Sequence, residues 1–223
     1  MTQSSFAGTS QARSQAVMPL QNRVTPFGDI VAMPERGTMM GNRGGRFHDD
    51  RQQIGRRRWA SRHWICCELA FKGWWRPVMG QGYTELFFLD EVTALSAGHR
   101  PCFECRRVEA KAFAAAFAKG QGAAAPMRVD AMDRILQAER LDGRQKRRQT
   151  MPAAALPVGA MIEAEGAALA RHAQGWLRWS AGGWSKASEK LAEDVSVLTP
   201  PSIVAALKND YAPRWHESAG NGA

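Results

Sequence analysis

YTELFFLDEVTALSAGHRPCFECRR, residues 83–107, sets a strand, a capped helix and a two-cysteine turn in immediate succession. Tyr83 to Leu89 is rich in aromatic and β-compatible residues and reads as a strand. Asp90 offers a side-chain oxygen to the first free backbone amides of a helix over EVTALSAG, and Gly98 supplies the left-handed residue that ends it. RPCFEC then turns tightly. Cys102 and Cys105 stand in C-x-x-C spacing, at which two thiolates converge on one tetrahedral ion while the intervening backbone donates to the sulfurs. Thioredoxin-type redox motifs share that spacing but follow a strand in a βαβ unit; here a helix and a glycine precede it, which points to metal.

Downstream, RRVEAKAFAAAFAKG predicts a helix with Val108, Phe113 and Phe117 on a shared face, stopped by Gly120 and Gly122. A Gly/Ala/Pro connector over 121–127 leads to a second helix from Val129 to Leu141. RQKRR, 144–148, and two prolines place a boundary between 143 and 157, beyond which short apolar runs broken by glycine predict a β-rich unit. Ser202 is expected to cap a last helix, IVAALKN. Upstream, residues 26–55 are loop-rich with short extended pieces. WASRHWICCELAF, the Lys72-Gly73 turn and WWRPVM together suggest a hairpin. The fold class is α+β: a cysteine module on a short hairpin with helices, followed by a small β-rich C-terminal unit. The expected division is a tail over 1–18, a metal-binding domain with helical extension over 19–143, a basic linker over 144–156, the β-rich unit over 157–216 and a tail over 217–223.

FFLDEVTALSAGHRPCFECRR resembles the metal-binding module of the Ada DNA-repair proteins, in which a strand ending in Phe and a short helix lead into Gly-aromatic-Arg-Pro-Cys-x-x-Cys. Gly98, Arg100, Pro101, Cys102 and Cys105 match that pattern. The resemblance spans about residues 59–107 and implies a structural Zn2+ and a role on DNA. In that family an upstream C-x-x-x-C pair completes the ligand set, and one of its thiolates accepts methyl groups from DNA phosphotriesters. This chain has adjacent Cys66 and Cys67 instead. Neighbouring strand residues point to opposite faces, so one of the two, Cys67, is expected at the ion. His63 precedes Cys67 by the family's own offset and is the expected fourth ligand; His99 and Cys66 are the alternatives. Burial as small hydrophobes is the competing account of the cysteines. Without the C-x-x-x-C pair, methyl transfer has little support.

Lys and Arg number 30 against 21 Asp and Glu, a formal charge of +9, which favours polyanionic partners. The hydrophobic fraction of 44% and charged fraction of 23% are ordinary for a globular chain. Four cysteines are too few for a disulfide scaffold, and no run approaches the roughly 18 apolar residues of a membrane span, so a cytoplasmic protein with no membrane partner is expected. GRRRWASRHW interleaves Arg56, Arg57, Arg58 and Arg62 with Trp59 and Trp64, a pattern suited to phosphate contacts and base stacking. Arg100, Arg106 and Arg107 extend this expected nucleic-acid contact, with DNA the expected partner. The alternatives are an enzyme acting on DNA, through a thiolate at the cysteines or as a metal-dependent nuclease using His48, Asp49 and Asp50, which local turn hydrogen bonding explains as well, or a zinc-stabilised protein-interaction module whose tryptophans face a partner.

Overall fold

A computed structural model describes residues 18–75 and 77–221 and shows an α+β fold. The first sheet contains β1 (Gln21–Val24), β2 (Ile30–Ala32), β3 (Met39–Arg43), β4 (Trp64–Cys67) and β5 (Leu86–Phe88). It also takes in β6 (Arg100–Pro101), which follows helix α1 (Glu91–Ser96). Its order is β2-β1-β5-β3-β4-β6, parallel at β1/β5 and β4/β6 and antiparallel elsewhere. A Cβ on Gly41 of β3 would stand 2.1 Å from the Ile65 carbonyl oxygen, so only glycine lets β4 pass this closely. Asp90 caps α1, its Oδ1 accepting from the Thr93 amide at 2.9 Å, and Gly98 follows the helix at φ +88°. Both features are as the sequence predicts.

Two further helices follow, α2 (Arg107–Gly120) and α3 (Val129–Arg140). Next come the hairpin β7 (Leu141–Asp142) and β8 (Gln145–Lys146), and then β9 (Gln149–Pro152). The remaining elements are β10 (Met161–Ala164), β11 (Ala167–His172), β12 (Gly175–Ser180), β13 (Gly183–Lys186), β14 (Asp194–Val197), α4 (Pro201–Lys208) and α5 (Ser218–Asn221). Strands β9 to β14 form the second sheet, all antiparallel, in the order β13-β12-β11-β10-β14-β9.

Several sequence expectations need correction. Residues 144–156 are not a linker, because β9 is a full edge strand paired with β14, and Arg144 to Arg148 sit in and after the β7/β8 hairpin. Nor is the β-rich unit self-contained. Phe113, Phe117, Met132 and Leu136 from α2 and α3 share one buried core with Ile162, Leu169, Val197 and Ile203. Among the described residues the predicted hairpin after Cys67 does not form. Strand β4 pairs with β3 instead, while Trp74 and Trp75 are exposed, and Pro77 brings no amide to a ladder. Val108 is 80% exposed because five residues carry it about 140° round the helix from Phe113. Ser202 lies inside α4, where its amide and hydroxyl donate to the Glu139 carboxylate at 2.9 and 2.5 Å. A distant acid thus takes over the capping role. The N-terminal tail, apart from exposed Met18, lies outside the described residues, as do 222 and 223. No helix among the described residues is long and apolar enough to cross a membrane.

Candidate metal centre and basic cleft

The Sγ atoms of Cys67, Cys102 and Cys105 lie within 4.8 Å of one another. A tetrahedral zinc about 2.3 Å from each sulfur would set them roughly 3.8 Å apart, so a small contraction closes three corners of such a site. The backbone enforces this meeting. The Cys102 amide donates to the Cys66 carbonyl at 2.9 Å, tying the turn to β4, and the Glu104 amide donates to the Cys102 sulfur at 3.4 Å. The thiols of Cys105 and Cys67 hydrogen-bond to Cys102 and lower its pKa. Cys67 is pushed far up, chiefly by holding its proton in bonds to Cys102 and Cys105, and Cys105 is raised by its bond to Cys102. Three cysteine sulfurs hydrogen-bonded to one another are a donor set that a soft divalent cation can take over, displacing their protons.

Cys66 points away from the trio, as strand alternation requires. It is fully buried, 3.8 Å from the Arg106 guanidinium, and burial pushes its thiol up. His63 does not join the cluster: its Nδ1 is 2.7 Å from Asp133 Oδ2 and its side chain is 48% exposed. The offset from Cys67 fails to bring it in because it lies just before β4 and is drawn to the acid on α3. His99 is not at the sulfurs either. It is buried against Trp64 and Phe88, and burial followed by the Arg43 and Arg140 charges holds it neutral. Among the described residues no fourth His, Cys, Asp or Glu completes the trio. A His63→Ala variant should therefore keep the wild-type metal content and lose about 1–2 kcal/mol of stability, since buried Asp133 loses one partner but keeps bidentate Arg100. Elemental analysis together with a thermal scan checks this, and loss of metal would restore His63 as a ligand.

The expected phosphate-contacting arginines divide into two groups. Arg100 is buried and bidentate on Asp133, at 2.9 and 2.8 Å, and Arg106 is buried on Glu91 at 2.8 Å, so both are structural cations out of a polyanion's reach. Arg62 is paired with Asp130. Arg56, Arg57 and Arg107 are exposed, and Arg58 is partly buried. His48 is committed as well: Nδ1 accepts from the Thr84 hydroxyl at 2.7 Å and Nε2 donates to the Gly80 carbonyl at 3.0 Å. Asp49 binds the amides of Arg51 and Gln53, and Asp50 pairs with Arg46, so the nuclease constellation does not assemble.

Two hollows flank β4. One, about 210 Å³, is lined by all three cluster cysteines with Ile65, Phe71 and Trp74. The other, about 590 Å³, is lined by seven Arg or Lys against Asp29 and Asp142, with Trp59 and Trp64 in its wall. Arg58 and four cations of the 144–148 run belong to it. Arg43 and Arg140, unremarked in the sequence, complete it, since one lies in a glycine-rich strand and the other in the last turn of a helix, where cations are commonplace. Compared with family models, curated proteins and solved structures, the chain matches none.

Proposed function

We propose that this chain is a zinc-thiolate protein that binds nucleic acid, DNA in the first instance, through the cleft beside β4. The observation that carries the reading is the pairing of a three-cysteine cluster with a strongly basic, tryptophan-walled cleft on one strand. Strand β4 presents Trp64 to the cleft and Cys67 to the sulfurs. Zinc held by Cys67, Cys102 and Cys105 would clamp β4 to the turn after β6 and so fix the cleft wall. Its contribution would be structural cross-linking. Arg58, Arg144, Arg147 and Arg148 then supply phosphate contacts, and Trp59 a stacking face. The resemblance of residues 59–107 to the Ada module agrees with thiolate ligation but brings no methyl acceptor, because its C-x-x-x-C pair has no counterpart here.

Fluorescence anisotropy of the full chain with single-stranded and duplex DNA across a salt series tests the reading. Three or four phosphate contacts should give a log–log slope of roughly −2 to −3 on single strands. A flat salt response, or no binding, would remove it.

A second reading has one observation in its favour. The three sulfurs open on the 210 Å³ hollow, and three protein ligands with a vacant corner are the arrangement of reactive zinc sites. Under that reading the chain is a metal- or thiolate-dependent enzyme. Cobalt-substituted protein separates the two: a spectrum altered by added small thiols marks an open position, an unaltered one a closed structural site.

A further inference from the structure

The floor of the basic cleft has a charge imbalance that, among the described residues, Asp29, Asp133 and Glu139 offset only from a distance and without an ion pair. Arg43 and Arg140 are 2% and 1% exposed, and both guanidinium carbons lie over the Trp64 ring, 4.0 and 4.7 Å from its centroid. Among the described residues neither makes an ion pair with a carboxylate. Arg43 donates to the carbonyls of Gly28 at 2.8 Å and Arg58 at 3.5 Å, and to His99 Nε2 at 3.4 Å. Arg140 donates to the carbonyls of Gly98 at 2.7 Å and Arg62 at 2.9 Å and to Gln137 at 3.1 Å, while its Nη2 has no partner. Lys146 reaches in from β8 to the Ser96 carbonyl at 2.5 Å. Burial, followed by Arg43, Arg140 and Arg148, pulls its amine down to about 7, with Asp29 alone opposing. Asp133, the nearby buried acid, is occupied by Arg100 and His63.

Buried cations satisfied by carbonyls, an imidazole and an indole face but by no carboxylate are costly, and desolvated guanidinium and ammonium groups converging on one hollow are matched by an anion of high charge density. A carboxylate or a phosphodiester carries one negative charge against three cations. A phosphate monoester carries nearly two, with three free acceptor oxygens. We propose that Arg43, Arg140 and Lys146 form a site for a phosphate monoester, with Trp59 in the wall of the same cleft placed for an attached aromatic base. The group can come from a free phosphorylated nucleoside or from the phosphorylated end of a strand. The second source rests on the nucleic-acid reading, whereas the first does not. The cavity is of the size that holds small-molecule ligands.

The test begins with thermal unfolding of the full chain in phosphate-free buffer, with inorganic phosphate added against chloride at equal ionic strength. Phosphate at ten times its Kd should raise Tm by about 3–6 °C. Lys146→Met should abolish that shift and also raise Tm in phosphate-free buffer, since it removes a cation the apo fold does not compensate. A cation with only a structural role would lower Tm when removed. Arg43→Gln gives the same loss of phosphate response as an independent second variant. The same oligonucleotide carrying a 5′-phosphate, a 3′-phosphate or free hydroxyls, together with a nucleoside monophosphate, separates the sources. Preference of about tenfold for one phosphorylated end assigns the site to strand ends. Binding of the monophosphate without any oligonucleotide keeps the site and overturns the nucleic-acid reading. Equal binding of all oligonucleotides with no response to phosphate overturns the site and leaves that reading standing.

Discussion

Cys102→Ser should reduce bound zinc from one equivalent per chain to none and lower Tm by roughly 8–16 °C. Cys102 is the sulfur to which both other thiols donate, and its own amide ties the turn to β4, so its loss takes one of three ligands from the centre of the cluster. The magnitude follows from linkage. A ligand present at a thousand times its Kd contributes about 4 kcal/mol, and a chain of this length shifts by about 2–4 °C per kcal/mol. Complete unfolding is not expected, because the core shared by α2, α3, α4 and the second sheet takes only the partly buried Phe103 from the cysteine turn. Cys66→Ser is the control, since Cys66 faces Arg106 and not the trio, and it should keep its metal. Elemental analysis and thermal scans with and without a chelator decide the matter. Full metal content in the Cys102 variant, or a wild-type Tm indifferent to chelation, would sink the metal centre.

What was legible in the sequence was local. Asp90, Gly98 and the C-x-x-C turn each act within a few residues, through a cap, a positive φ and a knuckle, so their spacing alone identified α1, its end and two members of the cysteine cluster. Cys67 against Cys66 was settled by strand alternation, which is local too. The misreadings concern partners far apart in the chain. Nothing within ten residues of His63 or Arg100 announces Asp133, yet that one buried carboxylate draws both away from the roles their motifs suggested. The basic run at 144–148 looked like a solvated linker because its counterpart, Arg43, lies a hundred residues earlier on β3. Sheet pairing is equally remote, and the WWRPVM segment lost its predicted place to β3, whose Gly41 leaves no side chain in the way.

Arg106→Leu should cost about 3–5 kcal/mol, the range for removing one partner of a buried ion pair, and so lower Tm by roughly 6–20 °C. Arg106 is 1% exposed and lies at the N-terminus of α2, where a cation opposes the helix dipole. It is retained because Glu91, 1% exposed at the start of α1, needs it. The Glu91 carboxylate accepts from Arg106 Nη2 at 2.8 Å, the Tyr211 hydroxyl at 2.5 Å and the Arg214 amide at 2.8 Å. Without Arg106 it keeps two neutral donors and only the more distant charge of Arg214. The same carboxylate joins the cysteine turn to the C-terminal segment, so the loss loosens two distant parts of the chain together. The double variant Arg106→Leu, Glu91→Gln should recover at least half of the deficit, since it removes the stranded charge while keeping an acceptor for Tyr211. Chemical denaturation of the single and double variants measures this coupling. Recovery of nothing would mean that Arg106 acts by packing alone. Both proteins should retain the metal and respond to chelation like the wild type, because the guanidinium contacts Cys66 and the acids, and none of the three clustered sulfurs. A variant that loses stability yet keeps its metal, set beside one that loses both, separates the buried ion pair from the metal centre as two independent supports of the same turn.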